Sequence, residues 1–247
     1  MREKLVVAHL TLMILLFASD VHGQDSFEKV RKRARPFEPT ILAAASTYNV
    51  DPHLLWTIAY LESRFNPQAI SYKDGRPCAF GLMQFVPSTA RQYGLKDPHN
   101  SREAIDAAAR YVSELLKRFS GHGELVLAAY NAGEGTVEAY RDGKRLVQEN
   151  GRVINPSAIR TGGIPPYAET RSYVARGRMI YQNITRQQFF TAALKSSGFP
   201  ITATGIDSKN SRVEVSIYGS ISGSSSRSIA TQSKRAESKQ PLSFYAN

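Results

Sequence analysis

The chain has 247 residues, enough for one good-sized domain with extensions and a core that needs no disulfide. Its single cysteine, Cys78, excludes an internal disulfide, and His9, His22, His53, His99 and His122 are too scattered to match zinc-ligand spacing. A net charge of +11 suits work on an anionic polymer, a nucleic acid or a membrane surface, but no nucleic-acid motif and no glycine-rich phosphate loop accompanies it.

In chain order, Arg2 and Lys4 precede an apolar run from Leu5 to Phe17, and Val21-His22-Gly23 offers small residues where a signal peptidase reads them. Residues 1–23 are therefore expected to be a signal peptide cut after Gly23. An uncleaved anchor is the competing reading, although the run is short for a bilayer span. Residues 24–36 form a basic linker with Arg31, Lys32, Arg33 and Arg35. From 37 to 186 the apolar residues recur at helical spacing, so an all-α domain is expected, α+β at most through a small hairpin.

The expected helices run from Pro39 to Tyr48, Pro52 to Ser63, Ser88 to Gln92, Ser101 to Phe119, Glu124 to Tyr130, Gly135 to Tyr140 and Tyr167 to Tyr181. Asp51 is the expected N-cap of the second, with Pro52 in its first position, and Ser101 the expected cap of the fourth. Phe65 to Phe80 reads as irregular, broken by Asn66-Pro67, Asp74-Gly75 and Pro77. Arg145 to Val153 reads as a small hairpin around Asn150-Gly151. Residues 187–247 read as a C-terminal helix and then a Ser-rich, mostly disordered tail. Within the tail, 211–221 alternate like a strand.

One carboxylate stands out. Leu54, Leu55, Ile58 and Leu61 form an apolar stripe on the second helix, and Glu62 falls on the same stripe in its last turn. The negative end of a helix dipole and an apolar surround both favour the protonated carboxyl, which suits a general acid. A Glu on a frayed end, or one paired with Arg64, is the plainer alternative.

Glu62-Ser63 is followed by FGLMQ (Phe80 to Gln84), AAYNAG (Ala128 to Gly133) and PYAETRSYV (Pro166 to Val174). These blocks stand in the order, and at about the separations, found in lytic transglycosylases. Over about residues 37–185 the chain resembles a soluble lytic transglycosylase of the lysozyme-like superfamily. The resemblance implies a lysozyme-like fold, a periplasmic location, no cofactor or metal, and cleavage of the MurNAc-GlcNAc β-1,4 bond in peptidoglycan with a 1,6-anhydro end. It implies Glu62 as the single acid and base, and Ser71, Gln84, Tyr130, Asn131 and Tyr173 as substrate contacts. Glycan strands are the implied partner, and a secretion or conjugation complex is a further one, reached through the C-terminal tail; no nucleic acid is expected.

Two stretches, Ser71 to Gly81 and Arg141 to Pro165, are longer than the compact family form. A muramidase-type hydrolase would need a second carboxylate, for which Glu169 is the first choice although an ion pair with Arg171, Arg176 or a lysine elsewhere is its expected role. An inactive wall-binding assembly protein is the remaining rival.

Overall fold

The computed structural model describes residues 27–148 and 151–190. The expected signal peptide, the start of the basic linker, Asn150 and the Ser-rich tail with its strand-like stretch lie outside the described residues. Among the described residues the fold is mostly helical with two small antiparallel sheets, and the chain divides into two compact units.

The first unit comprises residues up to Ala44 together with Ala59–Ala108. Helical residues 27–34 and a 3-10 turn, Arg35–Phe37, lead into α1 (Glu38–Tyr48). The last residues of α2 (Pro52–Ser63) follow, ended by Arg64 and Phe65, both at positive φ. The helix thus stops before the expected breaker, Asn66-Pro67. Phe65 is fully buried and stacks on Phe37 at 6.2 Å.

Next comes a hairpin where irregular chain was expected, β1 (Ile70–Lys73) against β2 (Arg76–Phe80). Asp74 and Gly75 take φ of 52° and 72°, the positive values that a tight two-residue hairpin turn requires. The register runs Lys73↔Arg76 and Tyr72↔Pro77, then slips to Ser71↔Ala79, leaving Cys78 as the extra residue of a bulge. α3 (Pro87–Gln92) and α4 (Ser101–Arg118) follow. The cap of α4 is Asn100 rather than Ser101: its Oδ1 accepts the N–H groups of Arg102 and Glu103 at 3.1 and 3.3 Å, and its Nδ2 donates to the Glu103 carboxylate at 3.0 Å.

The second unit comprises Ala45–Ile58 and the chain from Ala109 onward. Asp51 caps α2 as expected, accepting the His53 N–H at 2.8 Å. The first two turns of α2 are not a one-sided stripe: Leu54, Leu55, Trp56, Thr57 and Ile58 are all fully buried. α5 (Gly123–Ala132) and α6 (Glu134–Asp142) are separated by Gly133 at φ 83°. The expected small hairpin is present as β3 (Leu146–Val147) and β4 (Val153–Ile154). The long stretch after it is built around buried Asn155, whose Nδ2 donates to the carbonyls of Ala139, Lys144 and Ile159 and whose Oδ1 accepts the Ile159 N–H.

α7 (Ala168–Arg186) runs five residues past the expected Tyr181 end. Packing continues beyond it: the Phe189 ring lies 5.1 Å from Trp56 and the Phe190 ring 5.1 Å from His53. Tyr181 donates from its hydroxyl to Asp51 Oδ2 at 2.5 Å, and His53 Nδ1 lies 2.9 Å from Asp51 Oδ1. Burial alone would raise the Asp51 carboxyl; the His53 charge and the hydrogen bonds from His53 and Tyr181 outweigh it and hold it below the usual carboxylate range. Tyr181 goes the other way, pushed well up by burial and then by the Asp51 charge.

Candidate active site

In the first unit, Glu62 is half-buried in the final turn of α2. Its neighbour Ser63 fixes that turn. The Ser63 hydroxyl donates to the Leu82 carbonyl at 2.7 Å and accepts the Asn66 N–H at 3.1 Å. One hydroxyl therefore ties the end of the Glu62 helix to the FGLMQ block and to the chain leaving the helix. Within that block Leu82 and Met83 are fully buried, as core rather than contact. Gly81 has φ 75°, and a β-carbon there would sit 1.8 Å from the Pro98 carbonyl oxygen. Glycine is required by a close backbone approach to Pro98.

Gln84 was expected to offer its amide to sugars. The structure gives it another task. Its Nε2 donates to the carbonyls of Gly81 at 2.8 Å and Ala69 at 3.2 Å, and the Gly81 N–H donates to the same Ala69 carbonyl at 2.8 Å. Gln84 thus cross-ties the neck of the β1–β2 hairpin. Its Oε1 is sealed from solvent without a hydrogen-bond partner among the described residues. The backbone at Gln84 is also left-handed, φ 50°, a conformation uncommon outside glycine.

Ser71 was expected in a loop and lies in β1, exposed, with its carbonyl accepting a weak 3.4 Å bond from the Cys78 thiol. Cys78 itself is half-buried.

In the second unit, Tyr130 and Asn131 occupy the last turn of α5, both half-buried. Gly133 is the C-cap, and its N–H donates to the Ala129 carbonyl at 2.8 Å. Tyr173 lies on the buried face of α7 with Thr170, Val174 and Gly177. Glu169 is exposed in the first turn of the same helix and forms no ion pair among the described residues, contrary to the pairing with Arg171 or Arg176 that its position suggested. Glu134 accepts a 2.9 Å hydrogen bond from the Tyr111 hydroxyl, a partnership between residues 23 apart that no local pattern announces. A concavity of about 320 Å³ opens between α5, α7 and Thr161–Ile164, with Arg171, Arg178 and Glu124 on its wall; it contains none of the expected site residues. No group of His, Cys, Asp and Glu among the described residues is arranged to hold a metal ion.

Residues 39–150 match the family model described as the Transglycosylase SLT domain. The match includes Glu62, Ser71, Gln84, Tyr130 and Asn131; Tyr173 lies beyond it. Among curated proteins, membrane-bound lytic murein transglycosylase F 1 of Alkalilimnicola ehrlichii is 34% identical over 165 residues, which is 58% of this chain and 32% of that protein. Membrane-bound lytic murein transglycosylase F of Shewanella halifaxensis is 30% identical over 174 residues, 68% of this chain and 34% of that one. Membrane-bound lytic murein transglycosylase D of Escherichia coli is 37% identical over 114 residues, 44% and 24%. The chain spans about a third of the length of the first two relatives. An inactive variant of lytic transglycosylase Slt from Pseudomonas aeruginosa superposes with a TM-score of 0.45 at 27% identity, covering 61% of this chain and 24% of that one. The 70 kDa soluble lytic transglycosylase of Escherichia coli gives 0.47 at 22% identity, covering 62% and 24%. Over residues 39–150, a little under half of its length, the chain is thus similar to the transglycosylase SLT domain.

Proposed function

We propose that the chain is a peptidoglycan lytic transglycosylase with Glu62 as its only acid and base. The observation that carries this reading is the Glu62-Ser63 pair: a half-buried carboxyl at a helix end, with the next residue tied to Leu82 of the FGLMQ block, all within the stretch that matches the SLT domain. The names of the relatives support the substrate class.

In the proposed reaction the Glu62 carboxyl gives its proton to the oxygen between MurNAc and GlcNAc as the C1–O bond breaks. The carboxylate so formed takes the proton of the muramyl C6 hydroxyl as that oxygen closes on C1. The enzyme returns to its starting protonation state, no water is consumed, and the product carries a 1,6-anhydro end. An intramolecular hydroxyl replaces the second carboxylate of a hydrolase through its high effective concentration. Exposed Ser71, together with Tyr130, Asn131 and Tyr173, is read as contacting the glycan; Gln84 shapes the chain beneath.

Export by residues 1–23 to the periplasm belongs to the same reading, as does local opening of the wall for a secretion or conjugation apparatus through the basic, Ser-rich tail. Deleting residues 197–247 is expected to abolish partner capture and transfer while sparing cleavage of purified wall; unchanged transfer would remove the tail from the mechanism. The catalytic assignment is tested by Glu62→Gln. Release of muropeptides is expected to fall by at least about 1,000-fold with folding unchanged, in line with the loss of an acid that serves both half-reactions. Wild-type release by that variant would refute it.

A further inference from the structure

The Tyr111 hydroxyl meets both ends of the turn that carries Tyr130 and Asn131. Tyr111 stands on α4 and is 8% exposed. Its hydroxyl lies 2.9 Å from Glu134 Oε2 and 3.4 Å from the Ala129 carbonyl. Ala129 immediately precedes Tyr130, and Glu134 immediately follows Gly133. One hydroxyl therefore brackets residues 130–133. It has a single proton, and the shorter, charge-assisted contact to Glu134 takes the larger share of it.

The ring contributes as well. The Tyr111 and Tyr130 centroids lie 5.3 Å apart with the planes at 37°, so Tyr130 rests on Tyr111. Glu134 is oriented in its turn. It is the first residue of α6, where the helix dipole favours a carboxylate, and Arg118 Nη1 lies 3.9 Å from its Oε1. The same guanidinium holds Glu138 at 2.6 Å. Packing alone would be met by phenylalanine at 111. A hydroxyl aimed at a carboxylate across the turn does something packing does not: it fixes the chain on either side of Tyr130 and Asn131.

We infer that Tyr111 and Glu134 are positioning residues for glycan binding, holding Tyr130 and Asn131 in the orientation that grips a sugar ring. The inference rests on the proposed reading of Tyr130 as a glycan contact. Neither residue touches the reacting atoms, so KM carries the effect and kcat does not.

The test uses the full secreted chain acting on soluble, uncrosslinked peptidoglycan strands, with thermal unfolding of every variant alongside. Tyr111→Phe keeps the ring and removes the bond; Glu134→Ala removes its acceptor. Each is expected to raise KM about three- to ten-fold with kcat within about two-fold, the size of one lost hydrogen bond. Glu134→Gln keeps an acceptor and is expected to restore most of the wild-type KM. The double variant Tyr111→Phe/Glu134→Ala is expected to be no worse than either single one, because both remove the same bond.

Unchanged KM in Tyr111→Phe would overturn the inference. So would additive effects, or KM and kcat moving together with the loss of folded protein. Tyr130→Ala separates the two levels. If it raises KM while Tyr111→Phe does not, only the positioning role falls. If it leaves KM unchanged, the contact role of Tyr130 falls and the positioning role with it. A wild-type protein that neither binds nor cleaves the strands would overturn the reading of the whole domain.

Discussion

Ser63 holds one hydroxyl between two backbone groups, and Glu62 is aimed by the turn that hydroxyl closes. Losing it leaves the Leu82 carbonyl and the Asn66 N–H without that partner. Ser63→Ala is expected to lower unfolding stability by about 1–2 kcal/mol, and to reduce kcat by more than that loss of folded protein explains. Denaturant unfolding beside initial-rate measurements decides it; a variant with wild-type kcat would detach Ser63 from the aim of Glu62. Gln84 teaches a different lesson. An amide in a family block invites a ligand-binding role, yet its donors go to Gly81 and Ala69. Sequence could mark the residue and not its partners, because those carbonyls come together only when the hairpin neck closes. Tyr111 and Glu134 were hidden for the same reason, lying on different helices 23 residues apart.

Among the elements, α2 was legible to the residue at both ends, because Asp51-Pro52 carries a cap and a first-turn proline together. The β1–β2 hairpin was not. β1 is exposed along its whole length, with Ile70 and Tyr72 at 42% and 65% exposure, and β2 is buried only at Ala79, so no alternating buried face is imprinted on the sequence. The turn alone specifies it: Asp74-Gly75, read as a breaker, is a hairpin signal in its own right. The α4 cap was misplaced by one residue because Asn100 and Ser101 are both good capping residues and only the geometry chooses.

The start of α2 also carries a pH dependence. The Asp51 carboxyl is held below its ordinary value in the folded chain. The stability it contributes is therefore complete above the unfolded value of about 4 and is lost as pH falls through the folded value. Unfolding free energy is expected to drop more steeply for wild type than for Asp51→Asn between about pH 5 and about pH 2. Parallel curves would show that Asp51 is not responsible. Tyr181→Phe is expected to destabilise by about 1–3 kcal/mol at neutral pH, by taking the donor from a largely buried carboxylate.

For the whole molecule, charge and architecture bear on different questions. A net charge of +11 says nothing of the fold but favours an anionic polymer. Binding of the Glu62→Gln protein to purified wall is expected to weaken several-fold from about 0.05 M to about 0.5 M salt, as screening shortens the reach of the basic groups. Salt-independent binding would leave recognition to the glycan contacts alone. The helical architecture was readable because apolar residues recur at helical spacing over 37–186. The long stretch after β4 was not, since it is organised by one buried side chain, Asn155, rather than by any periodicity.

The most direct test of the chemistry is mass spectrometry of the muropeptides that the secreted form releases from purified peptidoglycan. Products lighter by one water than reducing-end muropeptides, and absent with Glu62→Gln, are expected from a single carboxyl closing the C6 hydroxyl on C1. Reducing-end products would contradict that chemistry: they require a water and a second acid, and Glu169 would be the first residue to replace.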